Sequence, residues 1–221
     1  MGPGLRRDDG DEQKHRAQVR SYNARMTLLA IDLPDADVAV DPHWLPADEA
    51  DVLLRDLLAT VPWETHRIRL FGREVDSPRL SCWIGDPDAA YTYSGTRFEP
   101  HPWPATLRPI RGRVAAACDD DFNSVLANLY RDGRDAMGWH RDDERELGVR
   151  PTIASLSLGA TRRFVFKHVS DPSRRYAIDL AHGSLLLMRG ETQRYYRHAL
   201  PRTAKAVGPR VNLTFRIIGG T

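Results

Sequence analysis

Apolar residues recur along this chain with two different periods. Between Leu45 and Val61, the residues Val52, Leu53, Leu57 and Val61 return at helical intervals, which places them on one face of a helix. Pro46 suits the first turn of that helix, and Asp48 and Glu49 complement its dipole there. Leu107, Ile110 and Val114 predict a second helix over Pro104–Ala117. Elsewhere the pattern is that of strands broken by Gly, Pro, Asp and Ser. Strands are predicted at Thr27–Asp32, Val125–Tyr130, Thr152–Leu158, Arg163–Lys167, Tyr176–Leu180, Ser184–Met188, Tyr195–His198 and Val211–Ile217. Two more, Trp63–Leu70 and Arg79–Ile84, flank a hairpin-like turn at Phe71-Gly72-Arg73. Short connections between many strands favour a barrel or jelly roll over a parallel α/β sheet. Met1–Tyr22 has no periodicity and reads as a flexible tail.

Composition narrows this picture. The 221 residues are 41% hydrophobic and 28% charged, enough for one substantial domain and too apolar for a disordered chain. No stretch approaches the ~20 apolar residues of a membrane span, and the charged N-terminus lacks the apolar core of a secretory leader. Cys82 and Cys118 make neither a disulfide framework nor a zinc motif and read as small buried residues, so the expected setting is reducing and cytoplasmic. The net charge of +2 hides an asymmetry. Residues 150–221 carry 13 Lys and Arg against 3 Asp and Glu, a balance of +10, while residues 1–149 carry 19 against 27, a balance of −8. A C-terminal region this basic suits a polyanionic partner, and Arg162, Arg163, Lys167, Arg174 and Arg175 cluster around one predicted hairpin that would lie along a phosphate backbone.

The segment Met137-Gly-Trp-His-Arg-Asp-Asp-Glu144 carries the candidate chemistry. On extended chain His140 and Asp142 project to the same side, which makes half of a metal site. Two histidines and one carboxylate with open positions suit non-haem Fe(II). The third ligand must come from elsewhere in the chain: His168, His182 and His198 are candidates, and periodicity favours His198, on the aromatic strand Tyr195–His198. Further along, Arg210, Asn212, Thr214 and Arg216 share one strand face, while Val211, Leu213, Phe215 and Ile217 share the other. Two guanidiniums on one face form a clamp for a dicarboxylate. Asn128 and Tyr130 repeat the same spacing just before the metal segment.

These stretches together resemble the AlkB family of Fe(II)- and 2-oxoglutarate-dependent dioxygenases, closest to the branch that repairs alkylated DNA. The matching stretches are Tyr91–Gly95 (YTYSG), Asn128–Tyr130 (NLY), Gly138–Leu147 (GWHRDDEREL), Ile153–Gly159 (IASLSLG), His182–Leu187 (HGSLLL) and Pro209–Arg216 (PRVNLTFR). The resemblance covers Trp63 to Ile218 and leaves the first 45 or so residues unmatched.

The resemblance implies a mainly β chain with flanking helices. Its fold would be a double-stranded β-helix (jelly roll) with a nucleotide-recognition lid at about residues 63–95, a catalytic core at about 122–218 and a single domain over 23–221. His140, Asp142 and His198 would hold the iron. Arg210 and Tyr130 would take the distal carboxylate of 2-oxoglutarate, with Arg216, Asn128, Asn212 and Thr214 completing its site. Phe71, with Gly72 and Arg73, would fill the gap left by a flipped base; Tyr91 and Tyr93 would line the base pocket, and Asp143 would bond the base's exocyclic amine. The implied activity is oxidative demethylation of 1-methyladenine and 3-methylcytosine in single- or double-stranded DNA; separately from the resemblance, a monomer with no membrane contact is expected. RNA bases, or a damage-binding module without catalysis, are the alternatives.

Overall fold

The computed structural model describes residues 28–70, 73–93 and 96–219. In chain order its elements begin with β1 (Leu29–Ile31), β2 (Asp37–Asp41) and helix α1 (Ala47–Thr60). Two small hairpins surround a longer strand: β3 (Arg67–Leu70) with β4 (Arg73–Asp76), then β5 (Leu80–Gly85), then β6 (Tyr91–Tyr93) with β7 (Thr96–Phe98). Helix α2 (Leu107–Cys118) leads to β8 (Ser124–Tyr130), β9 (Met137–His140), β10 (Ile153–Gly159), β11 (Arg162–His168), β12 (Arg175–Leu180) and β13 (Leu185–Arg189). A short helix α3 (Thr192–Tyr195), β14 (Tyr196–Leu200) and β15 (Arg210–Arg216) complete the described chain.

Two antiparallel sheets face each other in the jelly-roll manner. The larger has the order β1-β2-β13-β10-β15-β8-β5 and the smaller β12-β11-β14-β9. Strand alternation explains what each face does. On β15, Val211, Leu213 and Phe215 point to the helical side and pack with Ala127 and Leu129 of β8, Leu156 and Leu158 of β10, and Leu53, Leu57, Ile110 and Val114 of α1 and α2. Both predicted helices therefore exist to cover one face of the large sheet. The intervening residues Arg210, Asn212, Thr214 and Arg216 point between the two sheets, and every residue of β15 is buried. A second core, built from Val38, Val40, Phe166, Leu186, Met188 and Tyr196, closes the other end of the sandwich.

Three sequence expectations change. The hairpin partner of β3 is β4, with Leu70 opposite Arg73, so Arg73 belongs to a strand and Arg79–Ile84 is not the second arm. That segment is β5, an edge of the large sheet paired to β8, and Trp63–Leu70 shortens to Arg67–Leu70, leaving Glu64 as an isolated bridge to Ser81. The strand β2 was not anticipated, although its sequence DVAVD alternates; it pairs β13. Met1–Tyr22 lies outside the described residues. No helix among the described residues is long and apolar enough to cross a membrane.

Candidate metal and co-substrate site

Strand β9 ends at His140, so Asp142 stands just beyond the ladder while His198 lies within β14, directly opposite His140. The ligand atoms of His140, Asp142 and His198 all lie within 4.8 Å of one another. The two Nε2 atoms face each other at 3.1 Å, and His198 Nε2 is 3.6 Å from Asp142 Oδ2. His140 Nδ1 donates to the Gly138 carbonyl at 2.9 Å, which leaves its Nε2 lone pair aimed into the cluster. Phe164 stacks on the His198 ring at 5.3 Å. Burial, reinforced by His140, pushes the His198 pKa down to about 3, and burial lowers that of His140 as well. Burial alone would raise the Asp142 carboxyl, but Arg216 and the two histidines outweigh it and hold it below the usual range. The result is two neutral imidazoles and one carboxylate, the protonation states that a divalent metal requires.

The other candidate ligands are occupied elsewhere. His182 Nδ1 accepts the Gly159 N–H at 2.8 Å, and its Nε2 lies 3.3 Å from Asp51. His168 Nδ1 meets Ser170 and Asp171, and its ring stacks on Tyr195.

Two arginines share the cavity with this triad. Arg216, 5% exposed, donates through Nη2 to Asp142 Oδ1 at 2.6 Å. Arg210, 2% exposed, sits over the Tyr130 ring at 5.3 Å and donates through Nη2 to Ser157 Oγ at 2.8 Å. Its Nε has no acceptor and no carboxylate pairs with it among the described residues; burial holds its pKa down to about 10. A buried cation with an open donor fits a carboxylate supplied from outside, as 2-oxoglutarate would supply it. Gly159, opposite Arg210, sets this end of the cavity: its φ is +85°, and a Cβ there would lie 2.4 Å from the Pro209 carbonyl.

Residues 37–216 match the model of the 2OG-Fe(II) oxygenase superfamily. Bovine (Bos taurus) DNA oxidative demethylase ALKBH2 is 44% identical over 180 residues, 77% of this chain and 65% of the relative. Human (Homo sapiens) alpha-ketoglutarate-dependent dioxygenase alkB homolog 3 is 40% identical over 190 residues, covering 82% of this chain and 66% of the relative. The chain belongs to the AlkB family of 2OG-Fe(II) oxygenases. The chain thus spans about two-thirds of the length of these relatives. The solved structure of OsALKBH1 superposes with a TM-score of 0.56 at 18% identity, over 86% of this chain and all of that one, which supports the shared fold.

Within this AlkB-family framework the remaining predicted residues fall into three groups. Asn128, Tyr130, Asn212 and Thr214 all line the cavity beside the triad. Asn212 donates to Ser155 Oγ at 2.7 Å and accepts from Thr214 at 3.1 Å, so these two hold the strand face in order. Asp143 is exposed and ion-paired with Arg141, outside that cavity lining. Arg73, Tyr91 and Tyr93 occupy strands β4 and β6, and Phe71 and Gly72 lie outside the described residues.

The predicted basic hairpin needs one correction. Arg162 is 3% exposed and donates to the carbonyls of Asp132, Asp135 and Pro201, so it ties loops together and cannot face phosphate. Its neighbour Arg163 is paired to Asp179. Sequence reasoning also missed Arg79, a third guanidinium in the cavity, whose Nε donates to Asn128 Oδ1 at 2.6 Å. Nothing in the Ser-Pro-Arg-Leu context of Arg79 marks it as inward-facing.

Proposed function

We propose that this chain is an oxidative DNA demethylase that removes methyl groups from 1-methyladenine and 3-methylcytosine, consuming O2 and 2-oxoglutarate and releasing succinate, CO2 and formaldehyde. The observation that carries this reading is a two-histidine, one-carboxylate cluster sharing a cavity with a buried arginine that has no carboxylate partner among the described residues. His140, Asp142 and His198 would hold Fe(II). Arg210 and Tyr130 would take the far carboxylate of 2-oxoglutarate, and Asn128 would support its keto-acid end. Fe(II) held there would supply the redox centre at which O2, the oxidant, takes two electrons from 2-oxoglutarate, giving succinate and CO2, and two from the methyl C–H, and the resulting hydroxymethyl base would lose formaldehyde. The chain's own residues orient and exclude water: Arg216 keeps Asp142 anionic, and Phe164 walls off the His198 ring.

DNA as the substrate class rests on the relatives named DNA oxidative demethylase and on one surface. Arg175, Lys167 and Arg197 lie side by side across β12, β11 and β14, and Lys167 Nζ sits 4.4 Å from the centre of the exposed Trp139 ring. No carboxylate forms an ion pair with these three among the described residues. Like charges directly opposite one another on a sheet repel, and a phosphate backbone relieves that repulsion. The hairpins within about residues 63–95 would form the lid over a flipped base, with Phe71 filling the gap it leaves.

The test is a panel of single- and double-stranded DNA and RNA oligonucleotides, each with one methyl lesion, scored for formaldehyde and repaired base. Repair of methylated DNA that disappears in His140→Ala and Asp142→Ala is expected. No formaldehyde from any oligonucleotide would overturn the proposal, and repair confined to RNA would replace its substrate. Within the panel, Phe71→Ala should impair duplex repair and spare single strands. Lys167→Ala and Arg175→Ala should each lower the slope of log affinity against log salt by about 1.

A further inference from the structure

Asp142 is the only one of the three cluster residues that lies outside a strand, so its backbone has no ladder to hold it. The β14–β9 pairing is itself irregular between His198 and Leu200. In place of a ladder partner, the Asp142 N–H donates to Oε1 of Gln193 at 3.0 Å. Gln193 is 3% exposed, and its other amide end lies 3.7 Å from Met188 Sδ, a residue that lines the same cavity. Because the Asp142 N–H can only donate, the amide must present its oxygen there, which fixes its orientation.

The placement of Gln193 is fixed in turn. It lies on α3, whose first residue, Thr192, accepts from Asp37 N–H at 2.9 Å and donates to the Arg189 carbonyl at 2.6 Å. From α3 the chain enters β14 directly and reaches His198 five residues after Gln193. One connection thus delivers an imidazole to the cluster and restrains the carboxylate opposite it.

We infer that Gln193 is a positioning residue for the metal site, setting where Asp142 stands relative to His198 by holding its backbone. The inference rests on the metal reading given above. A polar group that orients a ligand from behind typically contributes about 10- to 100-fold in metal affinity.

The experiment titrates the whole 221-residue chain with Co(II), which gives affinity and a ligand-field spectrum without turnover. Wild type is expected to bind one Co(II), and His140→Ala to abolish it. Gln193→Leu, which keeps the volume and removes the acceptor, should weaken Co(II) binding about 10- to 100-fold and shift the spectrum. Gln193→Glu, with an acceptor oxygen at the same reach, should recover both. If Gln193→Leu does not fold, Gln193→Asn, too short to reach, carries the same expectation. Unchanged Co(II) affinity and spectrum in the Leu or Asn variant, even with a lowered melting temperature, would leave Gln193 a packing residue and overturn the inference. Co(II) binding that survives His140→Ala would instead overturn the metal reading, and this inference with it.

Discussion

The two ends of β15 bury an arginine to nearly the same depth under very different electrostatic conditions. At one end Arg216 meets Asp142 at 2.6 Å, so charge is balanced within the chain. At the other, Arg210 has a serine hydroxyl and an aromatic face, neither of which is an anion. At the first end the guanidinium charge is matched by a carboxylate. The second keeps a cation out of water with no carboxylate partner among the described residues, which destabilises the folded chain until an anion arrives. One strand thus carries an arginine ion-paired within the chain and, six residues away, one that meets only neutral groups, the one proposed to receive the co-substrate.

The sharpest way to break this comparison is to neutralise each arginine in turn. Arg216→Met leaves the Asp142 carboxylate buried without its partner and should destabilise the metal-free chain by about 3–5 kcal/mol in urea denaturation. A loss below 1 kcal/mol would mean that Asp142 does not depend on Arg216. Arg210→Met should leave the stability of the metal-free chain unchanged or raised. Its effect falls on the ligand: calorimetric titration of 2-oxoglutarate into the Mn(II)-loaded protein should show affinity reduced by about 2–4 kcal/mol, roughly 30- to 1,000-fold. Equal destabilisation by both substitutions would erase the distinction between the two ends. Smallest of the three, Ser157→Ala removes the hydroxyl that steadies Arg210 and should weaken 2-oxoglutarate by about 1 kcal/mol, near fivefold, in the same titration.

The alternation of Arg210, Asn212, Thr214 and Arg216 with Val211, Leu213 and Phe215 was readable because a strand's period of two survives burial on both faces. What alternation could not show is which arginine would find a carboxylate, since Asp142 is 74 residues away in sequence. The same rule, applied to β11, places Arg162 on the face of Phe164 and Phe166 and away from the neighbouring Arg163. A count of charges along the hairpin overlooks that difference. His198 could be favoured over His168 and His182 from its strand, but the choice between them depends on Gly159, Asp51 and Ser170, which only the fold brings near. Gln193 and Arg79 act through single long-range bonds, and no local pattern announces either. The β3–β4 pairing was misjudged for a related reason: Arg79–Ile84 is a good strand by composition, and its preference for β8 over the nearer segment is decided by burial in the large sheet.

Strand β15 lies inside the large sheet with β10 on one side and β8 on the other, whereas the two small hairpins belong to neither main sheet. Amides of Val211–Phe215 should therefore be among the slowest to exchange with deuterium, and those of the hairpins among the fastest. In a protein assembled in this way, movement of the peripheral hairpins leaves the polar face of β15 in register, because that face is fixed by ladders on both sides.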